Sequence, residues 1–251
     1  MLNKIKSFFK RFKILVAFVE FIRVCILECY KLKWILTRSK KIKFYFKTHE
    51  IKKLQIGAGL NYLNGWLNVD YLPSSDKIIF LDVTEKFPFK DNTFDYILAE
   101  HMIQELTYDQ ACFMLKECYR ILKPGGKIRV SIDDLEILVG IYKKEKDDIQ
   151  KYYIKWITDV FLKVRGIDIY SECFVVNCFF YNFKSKFNYD RITLQNTLEK
   201  AGFINITKYE PGKSDDENLQ GVESHGKVVN NEILTNFITT VLEGTKHNSE
   251  N

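Results

Sequence analysis

The 251-residue sequence has no C-x-x-C pair, and no histidine stands at zinc-finger spacing from its six cysteines. Cys25, Cys29, Cys112, Cys118, Cys173 and Cys178 therefore read as scattered thiols of a reducing cytoplasm, and no metal site is expected. Internal repeats and low-complexity tracts are also missing. Long apolar runs are missing from the N-terminal region, where the longest uncharged stretch of residues 1–46, Ile14 to Val19, is closed by Glu20. A spanning helix needs roughly 20 apolar residues and a signal core about 7–15, so neither is expected there.

What is present is globular. The apolar and charged fractions, 46% and 28%, exclude collagen-like and disordered classes. The 15% aromatic content comes with abundant Ile, Asn and Lys, a pattern of A/T-rich coding, and receives no functional weight. Charge is unevenly placed. Residues 1–47 hold thirteen Lys or Arg against two Glu, a balance of +11, which leaves the other 204 residues at −5. A uniformly basic nucleic-acid binder would spread that charge, so no nucleic-acid partner is expected.

The chain divides into a basic, apolar helical arm (1–50) and an α/β domain (51–251) with a helical and aromatic insertion at about 135–200. In the arm, Lys13, Glu20, Arg23, Glu28, Lys31 and Arg38 recur near multiples of 3.6, drawing a narrow polar stripe on an otherwise apolar helix. Its apolar surface must be covered. Two covers are open: protein, either its own body or a partner, and an anionic membrane interface into which Phe8, Phe9, Phe12 and Phe18 sink. The second would place a cytoplasmic protein peripherally on the inner face of the membrane.

After residue 51 short apolar bursts alternate with helical stretches. Strands are expected at Leu54–Ile56, Trp66–Val69, Ile78–Leu81, Tyr96–Leu98 and Lys127–Ile132, and finally at Phe203–Tyr209 and Phe237–Leu242. Helices are expected at Tyr108–Leu122, capped by Thr107, and at Leu135–Lys146, Asp148–Val164 and Arg191–Ala201, with an aromatic loop running to Tyr189. This alternation predicts a parallel sheet covered on both faces.

Chemistry begins where Leu54-Gln55-Ile56 runs into Gly57-Ala58-Gly59, because glycines let backbone approach a ligand closely. Asp70 ends the next strand, where a carboxylate can accept from both hydroxyls of a ribose. It follows Gly57 by 13 residues rather than about 20, and no third glycine is in register, which argues against NAD or FAD.

These strings, with G-W-x-N-x-D at 65–70, Leu81-Asp82, P-F-x-D-x-x-F-D at 88–95 and R-x-L-K-P-G-G at 120–126, resemble the class I S-adenosylmethionine-dependent methyltransferases. The resemblance implies a seven-stranded, mostly parallel Rossmann-like sheet with its last strand antiparallel. It implies S-adenosylmethionine as cofactor, with Gly57 and Gly59 behind the methionine moiety, Asp70 on the ribose and Asp82 beside the adenine. Ala99 and Glu100, with His101, would face the sulfonium. His101 and His225 are candidate bases for a hydroxyl acceptor, and Asp134 a candidate for orienting it. The implied acceptor is a small molecule, a glycan or a lipid-linked sugar, methylated on oxygen. Two departures stand out: Gln104-Glu105 where similar proteins have Glu-His, and Asp133 in place of a proline. Two rival functions remain open, a catalytically inactive cofactor-binding interaction module and a nucleic-acid methyltransferase.

Overall fold

The computed structural model describes residues 2–248, with side chains from Phe12 onward. It separates into one unit ending at Thr48 and another starting at His49. The first unit is a single helix, α1 (Leu2–Thr48), uninterrupted because no proline or glycine falls within it. Glu20 and Arg23 pair at 2.8 Å, as do Glu28 and Lys31. Phe12, Ile14, Leu15, Phe18 and Phe21 are exposed, whereas the side chains of Phe8 and Phe9 lie outside the described residues. No helix is long and apolar enough to cross a membrane among the described residues.

In the second unit the apolar bursts become one sheet. Its first strands are β1 (Lys53–Ile56), β2 (Leu67–Asp70), β3 (Ile79–Phe80) and β4 (Phe94–Glu100). Helix α2 (Tyr108–Ile121) starts at the expected cap, where Thr107 and Gln110 form a reciprocal capping box. Its face of Ala111, Leu115 and Cys118 is fully buried. Strand β5 (Leu122–Asp133) begins earlier than expected, since the Lys-Pro-Gly-Gly segment runs inside it as an irregular start. Gly126 is required there: a Cβ would sit 2.9 Å from the Lys123 carbonyl oxygen and 3.0 Å from that of Asp95.

The insertion differs from the expected long helices. Helix α3 (Leu135–Gly140) is short, and α4 (Asp148–Ile157) passes into one π turn at Thr158–Leu162. The expected aromatic loop contains α5 (Glu172–Tyr181), which is apolar on nearly every side and so shows no periodicity. Helix α6 (Arg191–Lys200) and β6 (Phe203–Tyr209) follow as expected. After the short α7 (His225–Val228), the expected final strand is half helix. Asn231 accepts from the Leu234 amide and starts α8 (Glu232–Ile238), and β7 (Thr239–Lys246) begins only afterwards.

The strand order is β3-β2-β1-β4-β5-β7-β6, with β7 antiparallel to both neighbours and the other pairings parallel. The order reverses between β1 and β4. Loops leaving those two strands diverge, and a crevice opens at their C-terminal ends.

Candidate functional site

The loop after β1 floors a cleft of ≈ 620 Å³ whose lining includes Gly57, Gly59, Asp70, Asp82, Met102 and Glu105. Gly57 has φ +71°, and a Cβ there would lie 2.6 Å from Cβ of Met102, so only glycine fits. Asp70 accepts from the Gly59 amide through Oδ2 and from the Leu72 amide through Oδ1, both at 2.8 Å. Asp82 accepts from the Thr84 amide and hydroxyl through Oδ1. Each carboxylate retains lone pairs for a ligand.

His101 stands at the end of β4 in the left-handed region, φ +47°, a strained position for a residue with a Cβ. Its Nε2 lies 3.2 Å from Thr239 Oγ1, and Thr239 already donates its proton to the Thr235 carbonyl at 2.7 Å. With that bond kept, Thr239 accepts from His101, and a hydrogen on Nε2 satisfies both groups. Nδ1 faces Asp133 Oδ1 at 3.4 Å, a charge contact longer than a good hydrogen bond, and this buried nitrogen makes no hydrogen bond.

The His225 ring lies over that of His101, with centroids 4.6 Å apart. Two carboxylates place it there. Glu100 accepts from the backbone amides of Ser224 (2.8 Å) and His225 (2.7 Å). Glu223 and Glu243 both pair with the fully buried Arg129, which also donates to the Lys213 carbonyl at 2.9 Å. Burial disfavours charge on His101, but Asp133, then Glu100 and Glu223, outweigh it and hold the imidazole above the ordinary histidine range. His225 goes the other way. Burial, reinforced by the His101 charge, brings it down to about 4. Asp133 is pushed up by burial, yet His101, His225 and Gln104 together keep it below the usual carboxylate range.

A second cavity of ≈ 360 Å³ opens on the other side of His101, walled by Tyr153, Trp156, Phe161, Phe179, Phe183 and Ile238. His101, Gln104, Asp133 and His225 belong to the same lining. Gln104 Nε2 donates to Asp133 Oδ2 at 3.3 Å, while its Oε1 is buried without a partner. His101, Glu105 and Lys184 line both cavities.

The residues expected from the sequence thus fall into three groups. Gly57, Gly59, Asp70 and Asp82 share the first cleft with His101, and His225, which lines the second cavity, packs its ring on that of His101. Ala99 is fully buried within β4 and lines neither cavity. Glu100 anchors the His225 loop and lines a smaller polar cavity of ≈ 190 Å³ next to His101. Asp134 is 3% exposed, caps α3 through the Glu136 amide and accepts from Thr240 Oγ1 at 2.7 Å, whereas its neighbour Asp133 faces the aromatic cavity. Strand alternation sends adjacent side chains to opposite faces, so one of the two had to turn away. Asp133 and Gln104 were visible in the sequence only as departures. Thr239 and the aromatic walls gave no signal.

Residues 70–130 match the family model of a methyltransferase domain. The chain is 31% identical over 129 residues to a ubiquinone/menaquinone biosynthesis C-methyltransferase of Haemophilus ducreyi, covering 50% of this chain and 43% of that protein. It is 30% identical over 122 residues to a demethylmenaquinone methyltransferase of Staphylococcus saprophyticus, covering 47% and 46%. The chain therefore spans less than half the length of either relative. An S-adenosylmethionine-dependent methyltransferase from Mesorhizobium loti superposes with a TM-score of 0.47 at 12% identity, covering 78% of this chain and 91% of that one.

Proposed function

The chain belongs to the class I S-adenosylmethionine-dependent methyltransferases, and on that premise we propose that it methylates an oxygen of a small-molecule acceptor seated in the aromatic cavity. One observation carries this reading: His101 is a wall common to the cofactor-type cleft and the aromatic cavity. The cleft suits the cofactor. Gly57 and Gly59 leave its floor free of side chains, and Asp70 and Asp82 offer unfilled lone pairs for a ribose and an adenine amine. Bound there, S-adenosylmethionine supplies an electrophilic methyl group on a positively charged sulfur.

The chain's own residues handle orientation and the proton. With its hydrogen on Nε2, neutral His101 keeps its lone pair on Nδ1, the buried atom without a hydrogen bond. A proton taken from an acceptor hydroxyl onto Nδ1 leaves an imidazolium beside the Asp133 carboxylate. A raised pKa serves that task, since a base works best with a pKa near the working pH. His225 stays neutral and packs the ring in place. Holding the acceptor in line supplies much of the remaining rate.

A glycan or lipid-linked sugar is the alternative acceptor class, and the proposed site of action is cytoplasmic. Six free cysteines support the compartment. The exposed apolar side chains and local +11 charge of the arm support its attachment to an anionic membrane surface, with a partner protein as the other reading.

The experiment is calorimetric titration with adenosylhomocysteine. Binding is expected for the wild type, with stabilisation of about 2.7 kcal/mol at a hundredfold excess over the dissociation constant. Asp70→Ala should lose most of it. Stabilisation by NAD alone overturns the proposal, and equal binding by Asp70→Ala removes that residue from the cofactor site.

A further inference from the structure

Resting on the methyl-transfer reading, the geometry points to a phenol-type acceptor: a flat apolar ring whose hydrogen-bond donors are gathered at one end. The walls of the second cavity are interlocked rings. Phe179 and Phe183 meet edge to face with centroids at 5.0 Å, Phe161 and Phe183 at 5.1 Å, and Trp156 and Phe161 at 5.7 Å. The Phe rings of this surface offer an aromatic guest stacking and edge contacts but no hydrogen bonds.

The lining also carries Asn182, Lys184 and Ser185, which are half-buried or exposed, but its buried polar atoms without a hydrogen bond, Gln104 Oε1 and His101 Nδ1, can both act as acceptors. Gln104 donates to Asp133, which orients the amide, so its buried Oε1 is left as an acceptor without a donor. In neutral His101, with its hydrogen on Nε2, Nδ1 is a second buried acceptor. Asp133 is held ionised and also only accepts. A ligand that satisfies these atoms must bring O–H or N–H donors to that end and turn apolar surface to the Phe rings.

This separates the acceptor classes. A hexose carries hydroxyls around its whole ring, and those turned to the aromatic walls would be buried unpaired. Each would cost roughly ten- to a hundredfold in affinity. A phenol places one hydroxyl against Nδ1 and turns only carbon to the walls; a second, neighbouring hydroxyl would reach Gln104. Transfer is balanced: the phenol O–H gives its proton to Nδ1, the oxygen forms the bond to the methyl carbon, and the carbon–sulfur bond breaks with its electron pair remaining on sulfur.

The test uses the full chain and two probes, phenol and methyl glucoside, followed by saturation-transfer NMR with and without adenosylhomocysteine. Phenol should bind at least tenfold more tightly than methyl glucoside. Phe183→Ala should weaken phenol at least tenfold while leaving adenosylhomocysteine affinity within twofold. Should that variant fail to fold, Phe161→Leu, which takes away another ring of the same wall, should weaken phenol in the same direction. Methyl glucoside binding as well as phenol, or no phenol binding at millimolar concentration, overturns the acceptor class even if adenosylhomocysteine binds. Loss of adenosylhomocysteine binding with phenol binding intact overturns the cofactor reading instead.

Discussion

Gln104 donates from Nε2 to Oδ2 of Asp133 across 3.3 Å, so the two positions where this chain departs from the pattern of similar proteins touch each other. The contact joins the turn after β4 to the end of β5, and the free Oδ1 of Asp133 is what His101 faces. Changing one partner alone would leave either an amide or a carboxylate without its neighbour. The pair sets both the charge beside His101 and the acceptor character of the cavity.

The protonation of the histidine pair follows. Only four histidines are present, so nitrogen-labelled imidazole NMR resolves each titration. His101 should titrate above 6.5 and His225 near 4. Asp133→Asn should pull His101 down, and Gln104→Glu should push it up by adding a second carboxylate. His101→Gln should raise His225 only part of the way to 6.5, because burial outranks the neighbouring charge. The two histidines bear oppositely on stability. The contribution of His101, whose folded pKa is raised, is complete below 6.5 and lost as pH rises through that folded value. That of His225 is complete above 6.5 and lost as pH falls toward 4. An unshifted His101 in Asp133→Asn would remove Asp133 from the base.

Arg129 offers a test of how the His225 loop is held. Its side chain is fully buried and pairs with Glu223 on the loop and Glu243 on β7. Arg129→Met strands two buried carboxylates and should destabilise by about 3–5 kcal/mol in urea unfolding. Glu223→Gln keeps shape and hydrogen bonding while removing one charge, and should cost less, about 1–3 kcal/mol. If Arg129→Met costs no more than Glu223→Gln, the arginine is not the anchor.

Much of this was legible before folding. Short β-rich bursts ending at Gly57, Asp70, Asp82 and Glu100 marked strand ends, and strand ends are where a parallel sheet presents its ligand groups. The cofactor side of the crevice is local in sequence, so motifs report it. The acceptor side is not. Thr239 meets His101 across 138 residues, and Phe179 and Phe183 come from a helix and loop that lack any period. Aromatic content set aside as coding bias supplies the cavity wall. The choice between Asp133 and Asp134 turned on strand parity at the last residue of β5, and sequence patterns are least sharp at element ends.

The arm can be tested without reference to the reaction. Phe12, Ile14, Leu15, Phe18 and Phe21 are each more than half exposed, and they share a segment whose local charge is +11 over residues 1–47. Glu20 and Glu28 pair with Arg23 and Lys31, and residues 1–47 keep a net charge of +11. The full-length protein is expected to sediment with vesicles containing anionic lipid, each Lys or Arg near the surface contributing about 1 kcal/mol. Rising salt should release only part of it, since screening weakens the charge attraction and leaves burial of Phe and Leu untouched. Removal of residues 1–46 should abolish sedimentation while adenosylhomocysteine binding persists. Vesicle binding that survives the truncation would place the anchor elsewhere. Binding to neutral and anionic vesicles alike would strip the basic charge of its role and leave only the apolar surface.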